Sequence, residues 1–384
     1  MRPIRFPLVL YMYVLTFLLL GPIGCSKDTP LDPSGSGWTF EEIVSGSLIG
    51  VQSNLTTTSN GTVFIAYHNP LDFKLHLATR NTAGTWSHTP IDTPGWVGSG
   101  VVLLTGTDDT LHIAYRDYDT ECIRYGLYDG VVWSFDYLKY VSSPSVYTQM
   151  LTNNGQLHLM ELSRRGSGPS GQNSTEYWQK QASSWVHVGT SPFIGRVSPS
   201  IAFAITDSGP IAAVVNTTYH VRNDGFRIYL ITTDDGGITW DKGEAAFEYD
   251  LRDDQVYART PVSIALVIDD ANEPHIIFRD PGGDLLDSVS GAIDHNVTNS
   301  HIAHCTDFLG RSWILYQKGN HFALTLYTPG SGWSVVSRIS DINPNRYNGN
   351  GRWDVHVDSA GIVHISAYSR YTRSLWYGRW NGPF

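Results

Sequence analysis

The chain has 384 residues, 12% of them aromatic, with 12 Trp, 21 Tyr, 37 Gly and only 16% charged side chains. Such a composition favours strands and tight turns, and it fits one large all-β domain better than two ordinary domains. A net charge of −10 excludes a general polyanion-coating role, which needs a basic face, so no nucleic-acid partner is expected.

The first element in chain order is a targeting segment. Arg2 and Arg5 precede the apolar run "LVLYMYVLTFLLL" from Leu8 to Leu20, too short for a comfortable membrane span and laid out like a signal peptide over 1–24. It ends in "GPIGCSKD", where Gly24 before Cys25 resembles the lipobox of bacterial lipoproteins. That resemblance implies a lipid on Cys25 and attachment to the bacterial envelope, and Ser26 after the Cys implies the outer membrane in a Gram-negative host. Pro22 stands where the usual lipobox has Leu, so plain secretion is the alternative. Residues 25–36 then form a polar tether, and 37–384 a folded domain. With Cys25 lipidated, Cys122 and Cys305 remain, about four repeats apart, and read as buried thiols rather than a disulfide.

From residue 37 onward the sequence repeats. Trp38, Trp86, Trp133, Trp185, Trp240 and Trp333 each follow a Gly-rich or polar turn and open a short strand, as in "GWTFEEIV", "TWSHTPI" and "VWSFDYL". The gaps are 48, 47, 52, 55 and 93, the last close to two repeats, so one copy near Asp294 has lost its Trp. Between them recur "TLHIAYRD", "QLHLMELS", "PHIIFRDP" and "VHISAYSR", with weaker versions "TVFIAYHN", "PIAAVVNT" and "SWILYQKG". An apolar run ending in a polar turn precedes each. Units of ~40 to 50 residues with about four strands are the signature of propeller blades. The middle phrase occurs seven times, and the last unit has only three strands, so "GWTFEEIV" is expected to complete it and close a seven-bladed β-propeller.

One turn carries a sharper motif. In "TTDDGGITW" the residues Thr233, Asp235, Gly237, Thr239 and Trp240 fit the Asp box of bacterial neuraminidase repeats, and here the chain resembles the sialidase-like propeller group. The resemblance covers nearly all of the domain and implies architecture more than activity: the Asp box is a hairpin turn between outer strands of blade four, away from the mouth. Sialidases of that group are six-bladed, with an Arg-Ile-Pro start, and no such segment occurs here. Seven-bladed relatives include ulvan-lyase-like enzymes and lectins.

In a propeller the turns after the second strand and before the first strand share one face. The second-strand ends supply His68, Arg116 with Asp117, Arg165, Arg279 with Asp280, and Arg370; the inner-strand starts supply Tyr147, Gln149, His301 and Arg352. Together they suggest a cationic mouth for an acidic carbohydrate, a uronate or sulfated polysaccharide held by arginine forks. If the chain is an enzyme, the chemistry is that of a polysaccharide lyase or glycoside hydrolase. Arg116 or Arg279 would neutralise the carboxylate while Tyr147, His301 or His68 removes a proton. The alternatives are a non-catalytic lectin-like or protein-interaction propeller, and a sialidase-like exo-glycosidase. Arg-Asp pairs at strand ends also fit a merely solvated rim. His112, His158, His275 and His364 share one blade position with Phe64 and Trp313, which marks bulk rather than imidazole chemistry. No cofactor is firmly implied. Asp-rich pieces such as "DLRDDQ" and "GTDDT" could hold a structural calcium, although neither has the alternating ligand spacing of a dedicated loop. A monomer is expected.

Overall fold

The computed structural model describes residues 37–46, 49–50, 52–91, 97–140, 147–165, 172–192, 197–218, 224–251, 263–339, 353–369 and 372–381. They form seven antiparallel sheets of four strands each, and no helix occurs among them. The innermost strands are Ser53–Thr57, Val97–Thr105, Tyr147–Asn153, Val197–Thr206, Ile264–Ile268, Val297–Thr306 and Trp353–Val357, numbered here as blades one to seven. Each sheet runs outward in sequence order, except the last. There Trp38–Ser45 pairs antiparallel with Ser374–Trp380 as the outer strand of blade seven, as the three-strand count of that unit predicts.

Burial follows from this stacking. The second strands lie inside the ring with both faces covered by neighbouring blades; all seven residues of Val363–Ser369 are buried. The outer strands face water on one side, and Trp86–Pro90 is largely exposed. Seven principal hydrophobic clusters fill the seven blade interfaces. Blades six and seven share Trp313, Phe322, Val355 and Ile365, while blades seven and one share Tyr377, Leu375, Ile65 and Leu55. The core is thus a circle of interfaces, and the last is as apolar as the others.

The repeated His position is a brace. His112, His158 and His364 hydrogen-bond through Nδ1 to Tyr125, Tyr177 and Tyr377 on the third strand at 2.7, 2.7 and 2.8 Å, and His275 reaches Asp287 at 2.8 Å. His364 also meets Asp358 of its own first hairpin at 3.2 Å. In blade six, Trp313 takes the place of His and donates its indole N–H to Asp307. Cys122 and Cys305 are free thiols, in blades two and six.

The 233–240 turn joins the third and fourth strands of blade four. Asp235 accepts the backbone N–H groups of Ile238 and Thr239 and the Thr239 hydroxyl, and these bonds hold its carboxyl down at about 2. Trp240 donates to the Gly237 carbonyl and is buried. Gly237 has φ of +99°, and a Cβ there would lie 2.3 Å from the Tyr177 ring of blade three. Gly237→Ala should therefore destabilise the fold by roughly 2 kcal/mol or more through strain and overpacking. Thermal unfolding checks this, and an unchanged midpoint would contradict the packing described.

Candidate functional site

The innermost strands enclose a central channel of about 950 Å³. Its wall has two unlike sides. Blades six, seven, one, two and three contribute polar groups, among them His301, His304, Asp354, His356, Asn54, Thr57 and Gln149. Blades four and five contribute Ala202, Ala204, Ile205, Ile264, Ala265 and Leu266. Among the described residues no Lys or Arg lines the channel. Its charged groups among the described residues are the carboxylates of Asp109, Asp354 and Asp358.

Strand register explains the polar groups. Asn54, Val102, Gln149, Ala202, Ala265, Ala303 and Asp354 pair with equivalent second-strand positions in the seven blades. Wherever this position is polar, its side chain accepts the backbone N–H of the residue one step on in the next blade. Asn54 takes Leu103 N–H at 2.6 Å, Gln149 takes Phe203 N–H at 2.8 Å, and Asp354 takes Leu55 N–H at 2.8 Å. The Asn54 amide also donates to Asp354 at 2.7 Å, so Asp354 and Asn54 form a continuous clasp across blades seven, one and two. These bonds satisfy inner-edge donors that no fifth strand can reach. Where the position is Ala, the wall is small and apolar.

Burial dominates the electrostatics. It pushes the Asp354 carboxyl up to about 7, against the N–H bonds it accepts, and it holds the His304 and His356 imidazoles down to about 4. Both rings are therefore neutral at pH 7, and each can donate and accept. His356 hydrogen-bonds Thr57 Oγ1 at 3.0 Å.

The sequence-derived candidates divide. Gln149 and His301 line the channel; His301 meets the Trp353 carbonyl at 3.2 Å and stacks edgewise on its indole. His68 is half-buried, its Nε2 is buried with no hydrogen-bond partner, and burial lowers its pKa. Tyr147 packs against the core between blades three and four. His68, Tyr147 and His301 stand in blades one, three and six.

The aspartates of the Arg-Asp pairs are built into their own turns. Asp117 accepts Asp119 and Thr120 N–H, and Asp280 accepts Gly283 and Asp284 N–H, each capping the turn that follows. Arg279 donates Nε to the Val297 carbonyl at 2.6 Å. Arg116 is only 4% exposed and lies over the Tyr118 ring, with its charge helping to offset that of Glu161. Glu161 is fully buried where Tyr67, Tyr115 and Tyr316 sit in other blades, opposite Glu176 and near Lys139, and burial pushes it up to about 7. Arg116 is thus buried inside its blade interface, while Arg279 is half-buried and held through its Nε. Arg352, Arg370 and Cys25 lie outside the described residues, as does the Arg165 side chain. Among the described residues no cluster of His, Cys, Asp or Glu could hold a metal ion. Asp108 and Asp109 of "GTDDT" bond Thr110 and Ser59, and residues 252–255 of "DLRDDQ" lie outside the described residues.

Sequence reasoning missed Asn54, Asp354, His304 and His356. The available signal was a polar residue breaking an apolar inner strand, as in "SNLTT" and "WDVHV".

Two outcomes follow for pH. Below about 6.5 an unfolded imidazole gains a proton that folded His304, His356 or His112 refuses until about 4, so these residues withdraw stability as pH falls through that window. The raised Asp354 and Glu161 carboxyls act oppositely, being more favourable once protonated below about 7. With three such imidazoles against two carboxyls, the unfolding midpoint should fall between pH 6.5 and 4, and His304→Phe should make that fall shallower. Thermal unfolding across this range checks both, and a midpoint that rises on acidification would contradict the assignment.

No protein-family model matches the chain, and no curated protein matches it. Solved structures do. A puromycin hydrolase aligns with TM-score 0.53 and 12% identity over 85% of this chain and 51% of its own. A mutant of the Aleuria aurantia lectin in complex with Fucα1-6GlcNAc aligns with TM-score 0.48 and 10% identity, covering 77% and 97%. The α-L-arabinanase of Penicillium chrysogenum complexed with arabinobiose aligns with TM-score 0.47 and 12% identity, covering 88% and 98%. At such identities the likeness is one of fold.

Proposed function

We propose that this chain is a carbohydrate-binding propeller, exported and lipid-anchored through Cys25, that receives a sugar inside its central channel as a monomer. The observation that carries this reading is the two-sided wall. A sugar ring has hydroxyls at its edges that both donate and accept, and C–H groups on its faces. The neutral imidazoles of His304 and His356, with Gln149 and the Thr57 hydroxyl, suit the first, while Ala202, Ala265 and Leu266 suit the second. Acidic character in the sugar would be recognised by the arginines the sequence carries at 165, 352 and 370. The Asp-box likeness at 233–240 supports the propeller architecture and says nothing of catalysis.

A second reading is favoured by one observation. A carboxyl raised to about 7, as Asp354 is, suits a general acid of a glycoside hydrolase. That chemistry also needs a second carboxylate placed across the scissile bond.

A panel of neutral, uronate-containing, sulfated and sialylated oligosaccharides separates these readings by titration calorimetry, followed by assays for reducing ends and unsaturated products. The expected result is binding without turnover. His304→Phe, which keeps the ring and removes its nitrogens, should weaken binding about tenfold, the worth of one or two hydrogen bonds. Release of reducing ends would establish the hydrolase, and binding untouched by His304→Phe would move the site out of the channel.

A further inference from the structure

The strand directions give the ring two unlike faces. The upper face carries the second-to-third strand turns, and the lower face carries the first-to-second and third-to-fourth turns. On the lower face, turns of blades two, four, five and six place Val131, Val132, Ile238, Val289, Phe308 and Leu309 in solvent, between 59% and 81% exposed, Phe308 at the lower rim of the channel.

These side chains are held outward by a shared device. In each turn an aspartate oxygen accepts the backbone N–H of an exposed residue: Asp129 takes Val131 and Val132, Asp235 takes Ile238, Asp287 takes Val289, and Asp307 takes Leu309, all at 2.9 to 3.0 Å. Fixing an apolar side chain in water on a rigid turn gives the fold nothing, because the cap alone would serve with a polar residue. Ala360 beside Asp358 and Asp119 beside Asp117 occupy comparable capped positions without a large apolar group.

The chain enters the ring on this same face. Trp38, which opens the outer strand of blade seven, pairs with Trp380, the lower end of its neighbour. Twelve residues, 25–36, precede Gly37 and can span at most about 40 Å. A lipid on Cys25 would thus hold the lower face, and not the channel's upper mouth, toward the membrane. Exposed Asp129 and Asp234 on the same turns, and Asp270 on another lower-face turn of blade five, would be repelled by an anionic surface.

We propose that the lower face is a docking surface for a zwitterionic bilayer, which its apolar turn tips enter at the headgroup boundary, leaving the upper mouth open to the medium. This rests on the reading of Cys25 as the anchor, which palmitate labelling of the exported chain tests separately.

The test uses the exported full chain in a Cys122→Ser, Cys305→Ala background, reconstituted into phosphatidylethanolamine/phosphatidylcholine vesicles. An environment-sensitive fluorophore is attached at Val289→Cys, or at Val131→Cys should the first variant fold poorly. Leu71→Cys, on the opposite face and equally exposed, is the control. The expected result is a blue-shifted emission at 289 and 131 of which brominated lipid removes roughly half, as for groups buried about 5–10 Å, with the probe at 71 unaffected. Equal, unquenched emission at 289 and 71 in palmitate-labelled protein would overturn the docking surface while leaving the anchor intact. Energy transfer between probes at 289 on separate copies, without lipid quenching, would also overturn it by making a second copy of the chain the occupant.

Discussion

Everything in this molecule depends on closing a circle. Each four-stranded sheet is apolar on both faces and stable only when neighbours cover both, so an open row of seven would leave two faces wet and two edges unpaired. The pairing of Trp38–Ser45 with Ser374–Trp380 removes that problem by tying the start of the domain to its end. The seventh interface is then a core like the other six, with Tyr377 and Leu375 against Ile65 and Leu55. The outer strand also reaches across to blade one, where Glu41 accepts from Arg80 and from the Trp86 indole.

Closure leaves a ring of inner edges around a channel, and the way those edges are satisfied determines what the channel can do. Side chains at one register position bridge blade to blade where they are polar, through Asp354, Asn54 and Gln149. Alanine at the same position in blades four, five and six leaves a small apolar wall. The polar and apolar arcs proposed to bind a sugar are thus the same residues that settle the inner edges. Under that proposal the atoms that settle the inner edges also face the ligand, and Asp354, which burial raises to about 7, stands on that wall.

The repeat made the fold legible. Tryptophan spacing, the recurring middle phrase and the three-strand last unit were sufficient for seven blades and for the closing strand, because each mark reports a local hairpin that recurs at fixed intervals. The lost Trp near Asp294 was legible too: blade five has outer strands of only three and four residues, Leu285–Asp287 and Gly291–Asp294, and Asp287 instead accepts the Trp333 indole of blade six. The site was far less legible. Whether Arg279 reaches out or folds back depends on the Val297 carbonyl, 18 residues away across a turn and two strands. Arg116 is 4% exposed, and Glu161 of the next blade, buried near it, stands where other blades carry an aromatic. Asn54 and Asp354 are 300 residues apart and become partners only through closure.

The central claim is that the ligand sits inside the channel, between the polar arc and the alanine wall. It is tested most directly by following the imidazole resonances of His304 and His356 by nuclear magnetic resonance while a bound oligosaccharide is titrated in. The account predicts that both shift in step with saturation, while His112 and His158, braced inside blades two and three, stay fixed. Saturating binding that leaves His304 and His356 unmoved would contradict it.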